Sequence, residues 1–205
     1  MDSSLDVDAS DSDLWRCAAR GSSVAFGILF ERHADAVYTH CFRRTASWSD
    51  AEDLVSVVFL EAWRRCTEVT LDARPALPWL LAVANNVLRN HDRSVRRNRR
   101  LVAKVSALHT RRDEIEDLTE RLGDEQRMRR VLEDVRQLPA AEQDVLALCV
   151  WAGLSYADVA VALEVPIGTV RSRLSRARAT FHRRSDATDG PASRDWRITK
   201  GESQR

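Results

Sequence analysis

Residues 153–184 read GLSYADVAVALEVPIGTVRSRLSRARATFHRR, and this stretch decides the fold. Ser155, followed three residues later by Asp158, is a reciprocal helix cap. Val159, Ala160 and Leu163 give the short helix behind it one apolar side. Pro166 has no amide hydrogen, so that helix cannot continue through the Glu164-Val165-Pro166 turn. A second helix is expected from about Gly168 or Thr169, where Val170, Leu174, Ala177 and Phe181 recur at helical spacing and form a buried stripe. Its other side carries Arg171, Ser172, Ser175, Arg176 and Arg178. Two short helices around a tight turn, the second basic near its start, suit a reader of the DNA major groove. Arg bonds a guanine edge with two hydrogen bonds, and hydroxyls hold phosphate. A helical hairpin with a solvated arginine face is the plainer reading. It explains the charge but not why cap, turn and basic face coincide.

Working outward, the rest of the chain is also helical in pattern. It shows no convincing strand-like alternation bounded by turn residues. Leu14 and Ala18 belong to a short helix ending near Gly21. Phe26, Leu29, Phe30, Val37 and Cys41 stripe a second. In SWSDAEDL, Ser49 and Glu52 offer a capping box for a third helix to about Arg65, with Leu54, Val58 and Ala62 on one face. Pro75 and Pro78 mark the first turn of a fourth, with Leu77, Leu81, Ala84 and Leu88 inward. The fold class is therefore all-α, with two small helical domains joined by a flexible linker. The expected layout is an acidic disordered N-terminus at 1–10, a first domain at 11–100 and a linker at 101–125. A second domain at 126–184 follows, opened by Met128, Val131, Leu132 and Val135, and then a disordered tail at 185–205.

Composition narrows the function. The chain has 205 residues, 44% hydrophobic and 31% charged, as a folded and charge-rich protein requires. No apolar run reaches the length of a membrane span, and the start MDSSLDVDASDSD lacks the apolar stretch of a secretory signal. Cys17, Cys41, Cys66 and Cys149 lie far apart, so neither a disulfide framework nor a zinc finger is expected, and a reducing cytoplasm suits them. No glycine-rich phosphate loop is present, and the histidines do not cluster with acids at metal-ligand spacing. No enzyme, metal or cofactor is expected. The net charge of +1 conceals two basic blocks. Residues 87–112 hold eight Arg and one Lys against Asp92 alone, and residues 171–184 hold six Arg and no acid. Two such blocks suit two separate contacts with a polyanion.

The first block lies on the fourth helix, PWLLAVANNVLRNHDRSVRRNRR. Trp79, Val83, Asn86, Asn90, Arg93 and Arg97 fall on one stripe, with Arg89 and Arg96 beside it. An aromatic, two amides and several arginines suit unstacked single-stranded bases better than a closed duplex. For Trp79 two readings stand, a stacking platform or a core residue. The third helix differs. Its outward Glu52, Asp53, Ser56 and Val57 mix acid with apolar surface, which suits a protein partner, although most acidic helix faces are only solvated.

Taken together, FGILFERHADAVY, SDAEDLVSVVFLEAWRR, LPWLLAVANNVLRNHDRSVRR, LPAAEQDVLALCVWAGLSYADVA and VPIGTVRSRLSRARATF resemble the compact extracytoplasmic-function sigma factors of bacterial RNA polymerase. The resemblance covers about residues 12–100 and 126–184, and shows no third-domain pattern between 101 and 125. It implies a transcription-initiation factor that binds polymerase core at the β′ clamp helices and the β flap, and also binds promoter DNA. Glu52, Asp53, Ser56 and Val57 would dock on the clamp. Trp79, Asn86, Arg89, Asn90, Arg93, Arg96 and Arg97 would melt and read the −10 element. Thr169, Arg171, Ser172, Ser175, Arg176 and Arg178 would read the −35 element. It also leaves room for an anti-sigma protein as a partner, and none for a membrane. The chain departs from the family in two places. Ser56 and Val57 stand where the family favours Gln and then an acid, and Glu164 stands where the turn usually carries a small residue. The competing reading is a stand-alone helix-turn-helix regulator, which would need a dimerisation element or effector pocket, and no obvious one is found.

Overall fold

The computed structural model describes residues 9–71, 74–105 and 118–187. Among them are eight α-helices: α1 Asp11–Ala19, α2 Ser23–Thr45, α3 Trp48–Arg65, α4 Leu77–Val105, α5 Leu118–Val135, α6 Ala140–Leu146, α7 Tyr156–Ala162 and α8 Ile167–Ala187. A π-helical turn, Ala147–Trp151, continues α6. No strand occurs among the described residues, in line with the all-α expectation. The chain divides into two compact units after Leu132, within α5. Residues 1–8 of the expected acidic start (1–10), the middle of the expected linker (106–117) and residues 188–205 of the expected tail (185–205) lie outside the described residues, while Ser10 caps α1 and α8 runs on to Ala187.

In the first unit α1 packs on α2, α2 packs on α3 and α4, and α3 packs on α4. The expected stripes are largely inward: Leu29, Val37 and Cys41 of α2, Leu54, Val58 and Ala62 of α3, and Leu81, Ala84 and Leu88 of α4 are all buried. Burying each large aliphatic contributes roughly 1.5–3 kcal/mol. Phe30 is 42% exposed, yet its ring meets Phe59 edge-on at 4.7 Å. Asp11 ties three helices together. Its carboxylate accepts from Arg32 at 3.1 Å, His33 at 2.8 Å and the Ala76 amide at 2.8 Å, just before α4. Burial by itself raises the Asp11 carboxyl. The Ala76 N–H, His33 and Arg32 outweigh it and hold the group below its ordinary value.

Two local expectations are corrected. The N-cap of α3 is Ser47, whose side chain accepts from the Asp50 amide, and not Ser49, which lies inside the helix. The reason is tertiary. Trp48 opens the helix, with its ring stacked on Phe42 at 3.5 Å and on Tyr38 at 5.6 Å. Helix also occupies both ends of the stretch read as linker, since α4 continues to Val105 and α5 begins at Leu118. Glu125 of α5 accepts from the Trp48 amide at 3.0 Å, satisfying an N–H that the first turn of α3 leaves unpaired.

The second unit packs α6 and α7 on α8 around Val135, Leu138, Val145, Leu148, Val159, Val170, Leu174 and Ala177. Ser155 caps α7 as expected, accepting from the Asp158 amide at 3.1 Å and donating to its carboxylate at 2.6 Å. After α7 the chain turns through Glu164, at φ +53°. The Glu164 amide bonds Val161 and the Val165 amide bonds Ala160, which is the Schellman closure of a helix end. Pro166 precedes α8, which starts one residue before the expected Gly168.

Candidate nucleic-acid interface

On α8 the two sides separate cleanly. Val170, Leu174 and Ala177 are buried, while Arg171, Ser172, Ser175, Arg176 and Arg178 are exposed and Thr169 is half-buried. The Ser172 hydroxyl donates back to the Thr169 carbonyl at 3.0 Å. Arg171, Leu174, Ser175, Arg178 and Ala179 line an open hollow of about 340 Å³ with Tyr156 of α7. Tyr156, half-buried at the first position of α7, escaped the sequence reading because its role depends on the α7–α8 packing. Arg176 is partly engaged, since its Nε donates to Glu142 of α6 at 3.0 Å.

The α4 stripe changes character along its length. Trp79 is half-buried, its ring meets Trp15 edge-on at 5.0 Å, and the Arg65 guanidinium lies 5.8 Å from its centre. Val83 is buried. These contacts hold one side of the Trp79 ring against α1 and α3. Beyond them Asn86, Asn90, Arg93 and Arg97 are exposed, and Arg89 donates to the Asn86 side-chain oxygen. The Arg96 side chain lies outside the described residues.

Beneath this surface sits a pair the sequence reading missed. Asn85 is fully buried and its Oδ1 accepts from His40 Nε2 at 2.9 Å. The signal was available, because Asn85 lies four residues after Leu81 and three before Leu88, on the inward side. Burial pushes the His40 imidazole down to about 4, against the opposing effect of the Asn85 bond, and Arg44 and Arg43 push the same way. His40 is therefore neutral at physiological pH. Burial likewise pushes the Cys41 thiol up to about 12 and the Cys149 thiol to about 11, so neither offers a thiolate nucleophile.

On α3, Glu52, Asp53, Ser56 and Val57 are all exposed, and Leu60, which the sequence reading passed over, extends the face at 49% exposure.

Two family models match this chain: sigma-70 region 2 over residues 29–101 and sigma-70 region 4 over residues 128–181. The RNA polymerase sigma factor HrpL of Pseudomonas syringae pv. syringae is 34% identical over 144 residues, covering 70% of this chain and 78% of that protein. The ECF RNA polymerase sigma factor SigL of Mycobacterium tuberculosis is 30% identical over 164 residues, covering 78% and 88%. This chain belongs to the ECF RNA polymerase sigma factors. The solved structure of CnrH, in complex with the cytosolic domain of CnrY, is also similar, with a TM-score of 0.64 at 26% identity over 87% of this chain and 99% of that one. As a sigma factor the chain directs promoter-specific transcription. The region 2 match covers most of α2, all of α3 and most of α4, and the region 4 match runs from the end of α5 through α6 and the helix-turn-helix. No helix among the described residues is long and apolar enough to cross a membrane.

Proposed function

We propose that this sigma factor grips the β′ clamp helices of core polymerase with Glu52, Asp53, Ser56 and Val57 of α3. The outer half of α4 opens and reads the −10 element, and α8 reads the −35 duplex from the major groove while its unit meets the β flap. The observation that carries the reading is the row of exposed Arg171, Ser175, Arg176 and Arg178 opposite the buried stripe of α8, directly after a capped tight turn. The factor acts in the cytoplasm and is not itself an enzyme, since the polymerase performs the chemistry. CnrH was solved bound to the cytosolic domain of CnrY, and an anti-sigma protein as a partner is part of the present reading.

Strand opening exposes this assignment most. Unstacking and unpairing a base costs a few kcal/mol, and the sequence carries no nucleotide-hydrolysis motif. Binding of the opened strand must therefore supply that energy. Asn86 and Asn90 offer amides to base edges, and Arg93 and Arg97 hold neighbouring phosphates. Run-off transcription with purified core enzyme on genomic fragments tests the function as a whole: transcripts must start at defined sites only when the chain is added. Asn86→Ala tests the site. It is expected to leave core binding intact, to lower transcription about tenfold from duplex promoter, and to recover on a template already mismatched around −10. Equal transcription from both templates, or loss of core binding, would discard the opening role.

A further inference from the structure

Glu142 of α6 is a buried carboxylate with a mostly exposed partner. Its side chain is 10% exposed, whereas that of Arg176 is 62% exposed, and the bond between them runs from Arg176 Nε to Glu142 Oε1 at 3.0 Å. A carboxylate withdrawn from water is costly unless it is paired. The choice of nitrogen matters. Nε is the inner nitrogen of the guanidinium, so a bond there fixes the plane of the group and leaves its two terminal nitrogens as an outward fork. A fork is what the O6 and N7 acceptors of guanine require. A long flexible side chain otherwise loses rotamer freedom when it binds, and a side chain already held loses less. Arg171 and Arg178, on the same helix, have no carboxylate partner among the described residues.

We infer that Glu142 is a positioning residue for base reading: it holds Arg176 so that α8 meets one base pair of the promoter with a pre-set guanidinium fork. The inference rests on the reading of α8 as the major-groove helix. It assigns α6 a part in specificity without touching DNA.

The test uses holoenzyme assembled from core polymerase and the full chain. A pool of duplex promoter fragments randomised across the −35 element is sorted by binding, and base preference is read at each position. Arg176→Ala is expected to flatten preference at one or two adjacent positions, by about tenfold. Glu142→Met keeps the length and removes the acceptor. It is expected to lower preference at those same positions by roughly threefold, and to add nothing in the Arg176→Ala background. Glu142→Gln keeps an oxygen at the acceptor position and retains most of the preference. Glu142→Asp keeps the charge but withdraws it by one methylene, and so behaves like Glu142→Met even if the latter folds poorly. Affinity for unrelated duplex stays unchanged in Glu142→Asp, which keeps the charge of this face. An unchanged profile in Glu142→Met and Glu142→Asp overturns the inference. An equal loss at all positions overturns it too, and so does tighter binding, which would mean that Glu142 restrains Arg176. If Arg176→Ala flattens no position, the reading of α8 itself fails and the inference falls with it. If Arg176→Ala flattens a position that the Glu142 variants leave intact, only the positioning role is lost.

Discussion

α4 and α8 are both long helices rich in arginine, but they divide burial from exposure along different directions. On α8 the division runs around the axis, so that one length of helix has an aliphatic inner side and a basic outer side. On α4 it runs along the axis. Leu80, Leu81, Val83, Ala84, Asn85 and Leu88 are buried on several sides of the first turns, and the exposed amides and arginines follow. A helix enclosed by α2 and α3 can present only its outer end. It gains a rigid stem for that end, and within the stem it carries a polar pair. The second unit has no buried histidine among its described residues, and its buried polar groups are the carboxylates of Glu142 and Asp144.

That contrast predicts different responses to acid, and this is the largest effect expected. In the unfolded chain His40 titrates near its ordinary 6.5, and in the folded first unit near 4. Below 6.5 the unfolded state takes up the proton and the folded state does not. Stability is thus full above about pH 6.5 and is lost as the pH falls toward 4. The loss reaches about 3 kcal/mol, at 1.36 kcal/mol per pH unit. Below 4 both states are protonated and this contribution levels off. Urea unfolding across pH 7 to 4 measures it. His40→Gln, which still donates to Asn85, should flatten the slope of the first unit over that window. The helix-turn-helix unit lacks a buried histidine among its described residues and so should lack this histidine-dependent slope; a slope of the first unit that His40→Gln leaves unchanged would erase the contrast.

The next effect concerns the basic side of α8. Arg171 borders the open hollow and has no carboxylate partner among the described residues. Arg171→Ala should weaken promoter binding by holoenzyme by about 1–3 kcal/mol if the group reads a base. The loss should concentrate on the −35 element. An equal loss on scrambled upstream DNA would reduce Arg171 to a phosphate contact. Stability should be untouched, in contrast to Arg176→Ala, which leaves the buried Glu142 carboxylate unpaired.

The same contrast explains what could be read in advance. The helix-turn-helix was legible because each of its signals is local: Ser155 and Asp158 for the cap, Pro166 for the break, and Val170, Leu174 and Ala177 for the buried side. On α4 the regular stripe from Trp79 to Arg97 was visible, but where it leaves the core was not. That point depends on Trp15 and Arg65, far away in sequence, which close over Trp79. The cap of α3 failed for a similar reason. Ser47 with Asp50 and Ser49 with Glu52 both fit the capping pattern, and nothing local chooses between them, whereas the Trp48 contacts with Phe42 and Glu125 at the observed start are tertiary. The start of α5 is acidic and weakly periodic, so nothing local marked it as helix. The Glu142–Arg176 bond joins residues 34 apart and left no pattern at all.

The smallest effect compares how the two units end a helix. α1 closes through Gly21 at φ +95°, with the Gly21 amide on Ala18 and the Ser22 amide on Cys17. α7 closes through Glu164 at φ +53° with the same pair of bonds one motif later, Glu164 on Val161 and Val165 on Ala160. Glycine enters the left-handed region freely, whereas a side chain there costs about 1–2 kcal/mol. Glycine also makes the unfolded chain more flexible, which offsets about 0.5–1 kcal/mol of that difference. Glu164→Gly should therefore stabilise the second unit by up to about 1 kcal/mol, which raises the melting point of a unit this small by roughly 4–8 °C. Gly21→Ala should destabilise the first unit by a similar amount. The added Cβ meets nothing within 4 Å, so the whole effect comes from the backbone and not from crowding. Melting curves of the two variants, followed by helix signal, read both at once. Opposite shifts of similar size would mean that the two turns differ only in the residue that occupies the left-handed position. If Glu164→Gly fails to stabilise, the Glu164 side chain must make a contribution in the folded turn that offsets its own strain. The family's preference for a small residue there would then have no counterpart in the stability of this chain.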